Sequence, residues 1–152
     1  MTAPTTTPAP TPLDAPLYGA TMPQAFSRFW KKYATFAGRA SRSEYWWFAL
    51  ANALIIIVLA VVGGIIGSMG ATTDASGKVQ PGPGFAAVTV VVVIYGLALL
   101  IPSIALHVRR LHDANLAGWF VLLGLIPSLG GLILLIFAVL PSNPAGARFD
   151  RR

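Results

Sequence analysis

The chain has 152 residues, of which 55% are hydrophobic and 11% charged, with a formal net charge of +6 and no cysteine. An ordinary soluble domain carries roughly 25% charged residues, so this chain lacks the polar side chains to cover its own surface in water. The absence of cysteine removes disulfides, thiolate catalysis, cysteine-type zinc sites and lipoprotein acylation. Its basic residues flank apolar runs instead of forming a long polar face. That argues against nucleic acid and for the positive-inside pattern of a membrane protein.

Residues 1–20 are rich in Thr, Pro and Ala and read as a disordered leader. They lack the basic start and apolar core of a cleavable signal peptide, so insertion is expected to rely on the first spanning helix. Thr21-Met22-Pro23-Gln24 then has the form of a helix start. The helix is expected over 22–37 and to stop at Gly38. Phe26, Phe29, Trp30, Tyr33 and Ala37 recur at helical spacing, with Arg28, Lys31, Lys32 and Thr35 between them. Aromatics on one side and lysines on the other suit an amphipathic helix lying in the headgroup layer. Phe26, Phe29, Trp30, Lys31, Lys32 and Tyr33 are therefore candidate lipid contacts, as are Trp46, Trp47 and Trp119 at the starts of the apolar runs that follow.

Ser41-Arg42-Ser43-Glu44 reads as a capping box. It opens a first apolar span over 45–66, long enough to cross a bilayer, with Trp46 and Trp47 in an aromatic belt at its start. Ala60, Gly64 and Ser68 form a small-residue face expected to pack against another helix. A flexible polar loop rich in Gly, Ser and Thr separates this span from a second, 85–106. Pro102 is expected to kink that span, since neighbours in a membrane satisfy the carbonyl it frees. After a short polar connection, Trp119 opens a third apolar run, 119–140, interrupted by Pro127-Ser128-Leu129-Gly130-Gly131. Its length favours a broken spanning helix over a re-entrant hairpin. A polar, basic tail occupies 141–152 and ends in Arg148, Arg151 and Arg152.

The most informative stretch is Arg109-Arg110-Leu111-His112-Asp113. No Asp, Glu, Lys or Arg occurs between Val79 and Val108 or between Ala114 and Ala147. Charges set in such sequence must meet water or be paired. With three spans, Lys31, Lys32, Arg39, Arg42, Arg109 and Arg110 share one side, which the positive-inside rule makes cytoplasmic together with the N-terminus. Lys78 and the tail arginines then fall outside, against that rule, whereas a re-entrant third segment would bring the tail back. Glu44 and Asp113 are the acids available to the cluster. Pairing of Glu44 with Arg109 or Arg110, and of Asp113 with Arg39 or Arg42, would staple the helix ends together.

Three other chemistries are open to these residues. His112 with Asp113 and Glu44 could form an acid/base set, but adjacent helical residues diverge and no nucleophile accompanies them. His107, His112, Asp113 and Glu44 could ligate a metal, but the histidines miss the i, i+4 spacing of a shared face. The arginines could hold an anionic lipid headgroup. The expectation is a site with no catalytic residues, metal or cofactor.

Phe36-Ala37-Gly38-Arg39-Ala40-Ser41-Arg42-Ser43-Glu44-Tyr45-Trp46-Trp47 resembles the opening signature of the bacterial family called domain of unknown function 805. Arg109-Arg110-Leu111-His112-Asp113, then Gly118-Trp119 and the Pro-to-Gly break, resembles its second signature. The resemblance covers about Phe26 to Asp150 and implies a small bacterial inner-membrane protein without an assigned activity. Asn115-Leu116-Ala117 departs from the basic residue and Ser often found before Gly-Trp, which weakens any phosphate-contact role for this loop.

The expected fold is all-α and polytopic: an interfacial helix plus three transmembrane helices, the third broken. The expected role is that of a non-enzymatic accessory protein of the inner membrane. Its expected partners are anionic lipids and a membrane protein or a second copy, not nucleic acid. The alternative is a subunit of an oligomeric transporter using Asn52, His107 and the broken third helix.

Overall fold

The computed structural model describes residues 11–13 and 15–150. Leader residues 1–10 and Asp14, and the tail residues Arg151 and Arg152, lie outside the described residues. Helices α1 (Met22–Lys31) and α2 (Arg42–Ser68) are followed by a hairpin of β1 (Thr72–Thr73) and β2 (Val79–Gln80). Then come α3 (Gly84–Asp113), a 3-10 helix over Gly118–Leu125, α4 (Gly130–Val139) and a 3-10 segment over Pro144–Phe149. Among the described residues, α2 and α3 are long and apolar enough to cross a membrane; α4 is apolar but short.

The capping box forms as its sequence requires. The Ser41 hydroxyl accepts from the Glu44 amide at 3.2 Å, and Glu44 Oε2 accepts from the Ser41 amide at 3.0 Å. Two otherwise unpaired amides are thereby satisfied and α2 is launched at Arg42. α2 and α3 pack antiparallel, and two polar bonds set their rotation: Tyr95 donates to Asn52 at 2.7 Å, and Tyr45 bonds His107 Nε2 at 2.9 Å. Tyr45, Asn52 and Gly63 follow one another at helical spacing on one face of α2, so Gly63 also meets α3. A Cβ there would lie 2.7 Å from Val88, and one on Gly67 3.3 Å from Phe85. The expected packing face is therefore corrected by one position. Ala60, Gly64 and Ser68 are exposed, and nothing lies within 4 Å of a Cβ on Gly64.

The connection between α2 and α3, expected as an unstructured loop, contains a small antiparallel hairpin. Asp74 organises it. Its Oδ1 accepts from the Ser76 amide at 2.9 Å and the Lys78 amide at 3.0 Å, and Gly77 takes a φ of +80°. Such a turn suits Asp and Gly for different reasons, one as a local acceptor and one as a residue without a Cβ.

α3 runs seven residues beyond the expected end of the second span, so Arg109–Asp113 form its last turns instead of a loop. It closes at Asn115, whose φ is +61°. The Asn115 amide donates to His112 O at 2.9 Å and the Leu116 amide to Leu111 O at 2.8 Å. These two bonds are those of a Schellman cap, with Asn in place of the usual Gly. Within α3, Pro102 has no amide to offer Ala98 O, four residues earlier. Tyr33 supplies the missing donor, its hydroxyl reaching that carbonyl at 2.9 Å.

The first helix differs from expectation in extent and in what its aromatics touch. α1 ends at Lys31, not 37. The chain then turns back, so that Gly38 donates to Phe149 O at 3.0 Å and accepts from His112 Nδ1 at 3.1 Å. These contacts outweigh continuation of the helix. Phe29, expected at lipid, is 2% exposed and stacks on Phe48 of α2 with ring centroids 3.5 Å apart. Phe26 stacks on the same ring. Lys32, also expected at the headgroups, is buried. Phe26 and Phe29 thus form a seam between α1 and α2, because Phe48 presents a flat ring to both, whereas Trp30 of the same stripe stays exposed.

The third apolar run is corrected as well. It is not one broken helix but two short arms folded against each other. Phe120 and Phe137 meet edge to face at 5.9 Å, a Cβ on Gly124 would lie 2.7 Å from Leu134, and the Gly130 amide donates to Ile126 O at 2.8 Å. A Cβ on Gly130 would strike Gly124 O, so the arms close only around glycine. Ser128 holds the turn with a φ of +66°. Gly118 lies against Val108 and His112, while Leu140 accepts from Arg42 and Arg110. Both ends of the run therefore sit at the charged end of α3.

Candidate functional site: a buried charge cluster

The cluster forms where the last turns of α3, the first turn of α2, α1, the leader and the tail converge. Arg109, Arg110 and Asp113 are at most 1% exposed and Glu44 is 3% exposed. At that depth an ionised group needs both a counter-charge and hydrogen bonds for its remaining lone pairs or protons.

Glu44 is one centre. Its Oε1 takes Arg28 Nε at 2.5 Å, and its Oε2 takes the Ser41 and Leu17 amides at 3.0 and 3.1 Å. The remaining nitrogens of Arg28 donate to the carbonyls of Thr11, Pro12, Leu13 and Ala15. Pairing of Glu44 with Arg109 or Arg110 is therefore corrected to pairing with Arg28, a residue read as part of the polar face of α1. Arg109 stays within the electrostatic reach of Glu44 but also feels Arg28. Its Nε donates to Ala105 O at 3.1 Å, while its Nη2 has no hydrogen-bond partner among the described residues.

Asp113 is the other centre. Oδ2 takes Arg110 Nη1 at 2.7 Å and the Ser142 hydroxyl at 2.5 Å, and Oδ1 takes the Tyr18 hydroxyl at 3.0 Å. Arg110 also donates to Ala138 O at 3.1 Å and to Leu140 O, tying the end of α4 to α3. The expected partners of Asp113, Arg39 and Arg42, are engaged elsewhere. Arg39 forks onto Asp150 of the tail at 2.7 Å, and this bond holds its guanidinium above the ordinary arginine range. Arg42 donates from Nε to Leu140 O at 3.0 Å. Burial, and after it the adjacent Asp113 carboxylate, raises the Tyr18 hydroxyl above the usual phenol range, so it stays protonated as the donor.

Reading the sequence missed Arg28, Tyr18, Ser142 and Asp150 as members of the cluster. The leader supplies much of this. Besides the Leu17 amide, Ala20 donates to Ser43 Oγ at 3.0 Å and Leu17 O accepts from Ser41 Oγ at 2.6 Å. Residues 15–20 are docked in place of the expected disorder.

His112 is held by the tail and by the turn at Gly38. Its Nδ1 bonds Gly38 O, and its ring stacks on Phe149 at 4.0 Å. His107 is engaged on both nitrogens, with Ser103 O at 2.8 Å and Tyr45 at 2.9 Å. Asn52 is occupied by Tyr95. Among the described residues no three His, Asp or Glu side chains come together as a metal site. Of the candidate lipid contacts, Trp30, Lys31, Trp46, Trp47 and Trp119 are exposed, Phe26 is half-buried and Tyr33 is tied to Ala98.

No solved structure matches this chain. Two proteins of Escherichia coli strain K12 do match in sequence. "Inner membrane protein YhaH" is 35% identical over 119 residues, 78% of this chain and 87% of that protein. "Inner membrane protein YhaI" is 35% identical over 107 residues, 70% of this chain and 75% of that protein. The family described as "Protein of unknown function (DUF805)" matches residues 33–151, which include Arg39, Arg42, Glu44, Arg109, Arg110, Asp113 and Asp150 but neither Tyr18 nor Arg28. With two apolar helices long enough to span a membrane, a glycine-closed apolar hairpin beside them and a match over most of its length, this chain belongs to the DUF805 family of membrane proteins.

Proposed function

We propose that this protein is a non-catalytic accessory component of the bacterial inner membrane, anchored by α2 and α3 and presenting a rigid, charge-stapled platform at the cytoplasmic face. The observation that carries this reading is that the polar side chains of the cluster bond one another and the backbone. Glu44, Asp113 and His107 each have their polar atoms engaged and His112 is anchored through Nδ1, which suits holding elements together more than turning over a substrate. The platform would meet lipid headgroups along its rim and a membrane-protein partner, or a second copy, beside it.

In this reading the third run enters the bilayer and returns, so both ends of the chain are cytoplasmic. Support comes from charge. The hairpin brings Arg148 to the end that carries Arg28, Arg39, Arg42, Arg109 and Arg110, and leaves Lys78 alone at the other, as the positive-inside rule favours. The transport alternative gains nothing from Asn52 and His107, because each joins α2 to α3.

The chain has no cysteine of its own, so single cysteines can test the topology. Ser76→Cys, Asn115→Cys and Ala147→Cys are treated in intact cells with an impermeant thiol reagent. Labelling at residue 76 alone is expected. Labelling at 115 would invert the orientation, and labelling at 147 but not 115 would mean that the third run crosses.

A further inference from the structure

We infer that the start of α2 carries a binding site for one anionic phospholipid, with the phosphate held by Arg42 and Ser43 and the acyl chains lying on Trp46, Trp47 and Leu50. The inference rests on the cytoplasmic platform proposed above and assigns one side of it a ligand.

Two grooves meet at this point. One, of about 400 Å³, is polar and is lined by Tyr18, Ser41, Arg42, Ser43 and Ser142 among others. The second, of about 510 Å³, is lined by Arg42, Ser43, Trp46, Trp47 and Leu50. Arg42 and Ser43 line both, and Arg42 is the only charged residue in either lining. Among the described residues no carboxylate lines either groove to repel an anion. Among the described residues Arg42 is also the exposed arginine of the cluster without a carboxylate ion pair. Arg28 has Glu44, Arg39 has Asp150, Arg110 has Asp113, and Arg109 is sealed inside near Glu44. Its Nε is fixed on Leu140 O at 3.0 Å, which fixes the direction of the guanidinium while its two outer nitrogens remain to meet an anion. A planar fork so held suits phosphate oxygens.

The apolar half follows on the same helix. Trp46 and Trp47 are 40% and 39% exposed and Leu50 46%, whereas Phe48 between them is buried against α1. From Arg42 to Leu50 is about 12 Å of helix at 1.5 Å per residue. That reaches from the headgroup layer into the hydrocarbon, and Trp is the side chain that tolerates both. A ligand with an anionic head and apolar tails matches this order of side chains; a free anion uses only its first step.

The test is tryptophan quenching in vesicles. The full chain carrying Trp30→Phe and Trp119→Phe keeps Trp46 and Trp47 as its only tryptophans. It is reconstituted with a low fraction of chain-brominated phosphatidylglycerol or, in parallel, chain-brominated phosphatidylcholine. One basic contact at a membrane surface corresponds to about fivefold enrichment of an anionic lipid. Quenching by the glycerol lipid should thus saturate at roughly a fifth of the mole fraction that the choline lipid needs. Arg42→Gln should bring the two curves together, and Arg42→Lys should keep part of the difference.

Equal curves in the unsubstituted Arg42 protein overturn the site, as does a preference that survives Arg42→Gln. Loss of the preference on adding inorganic phosphate also overturns it, because the site would then take the small anion. Absence of quenching by either lipid refutes the membrane-embedded platform itself. Should Arg42→Gln fail to reconstitute, raising salt from about 0.1 M to about 1 M shortens the screening length from about 10 Å to about 3 Å. The preference must then collapse, and persistence at high salt rejects the Arg42 contact.

Discussion

The pairing inside the charge cluster can be tested directly, through the Arg28–Glu44 bond. Both side chains are more than nine-tenths buried, at 9% and 4% exposure, and 2.5 Å apart. Glu44→Gln leaves an acceptor for the Ser41 or Leu17 amide but strands the Arg28 charge. Arg28→Gln strands Glu44 in the same way. Breaking a buried pair from one side costs about 3–5 kcal/mol. In a chain of this length 1 kcal/mol shifts the melting temperature by about 2–4 °C, so each single variant should melt about 6–20 °C lower in detergent. The double variant leaves no stranded charge of this pair and should lose less than the sum, with a coupling of about 1–3 kcal/mol. Glu44→Gln with Arg110→Gln is the control. Arg110 is bound to Asp113 instead, so that cycle should show the smaller coupling. If the Arg28 cycle is additive within about 0.5 kcal/mol, or the Arg110 cycle is the more strongly coupled, the pairing described here is wrong.

Two further outcomes are expected. Tyr33→Phe removes the donor to Ala98 O beside Pro102 and should cost about 1–3 kcal/mol, the penalty of a bare buried carbonyl. In a Pro102→Ala background, where an amide returns to position 102, the same change should cost clearly less in thermal unfolding; an equal cost would mean that Tyr33 does not replace the missing bond. In the hairpin, the hydrogen bonds from Ser76, then from Lys78 and Gln80, lower the Asp74 carboxyl from 3.8 to about 2. A folded value below the unfolded one means that this carboxylate favours the hairpin fully above about pH 4, and that the effect is lost as pH falls towards 2. A carboxyl titration by NMR should find the low midpoint, and Ser76→Ala should raise it.

Local features of this fold were legible in the sequence and distant ones were not. The box of Ser41 and Glu44 lies within four residues, and its reading held at atomic detail. Pro102 announced a freed carbonyl, yet the donor, Tyr33, stands 65 residues from Ala98 in the chain. The members Arg39, Arg42, Glu44, Arg109, Arg110 and Asp113 were readable from their isolation in apolar sequence. Their pairing was not, because it depends on where α1, the leader and the tail arrive. Arg110–Asp113 is the exception, an i,i+3 pair within one helix. Ending the second span at Leu106 hid it, although nothing between Leu106 and Asp113 breaks a helix. The third run was ambiguous for a physical reason. Its length fits a crossing, and only the closeness of Gly124 and Gly130 decides for two folded arms.

The environment of Asp113 also says something about how the chain is made. Of its side-chain partners, Tyr18 is synthesised long before it and Arg110 just before it, while Ser142 follows 29 residues later. At about 5–20 residues per second, the carboxylate waits a few seconds for its last donor. Until then it is an incompletely partnered acid at the end of a nascent apolar helix. A product that terminates between residues 114 and 141 includes both long helices but lacks the Ser142 donor of this centre.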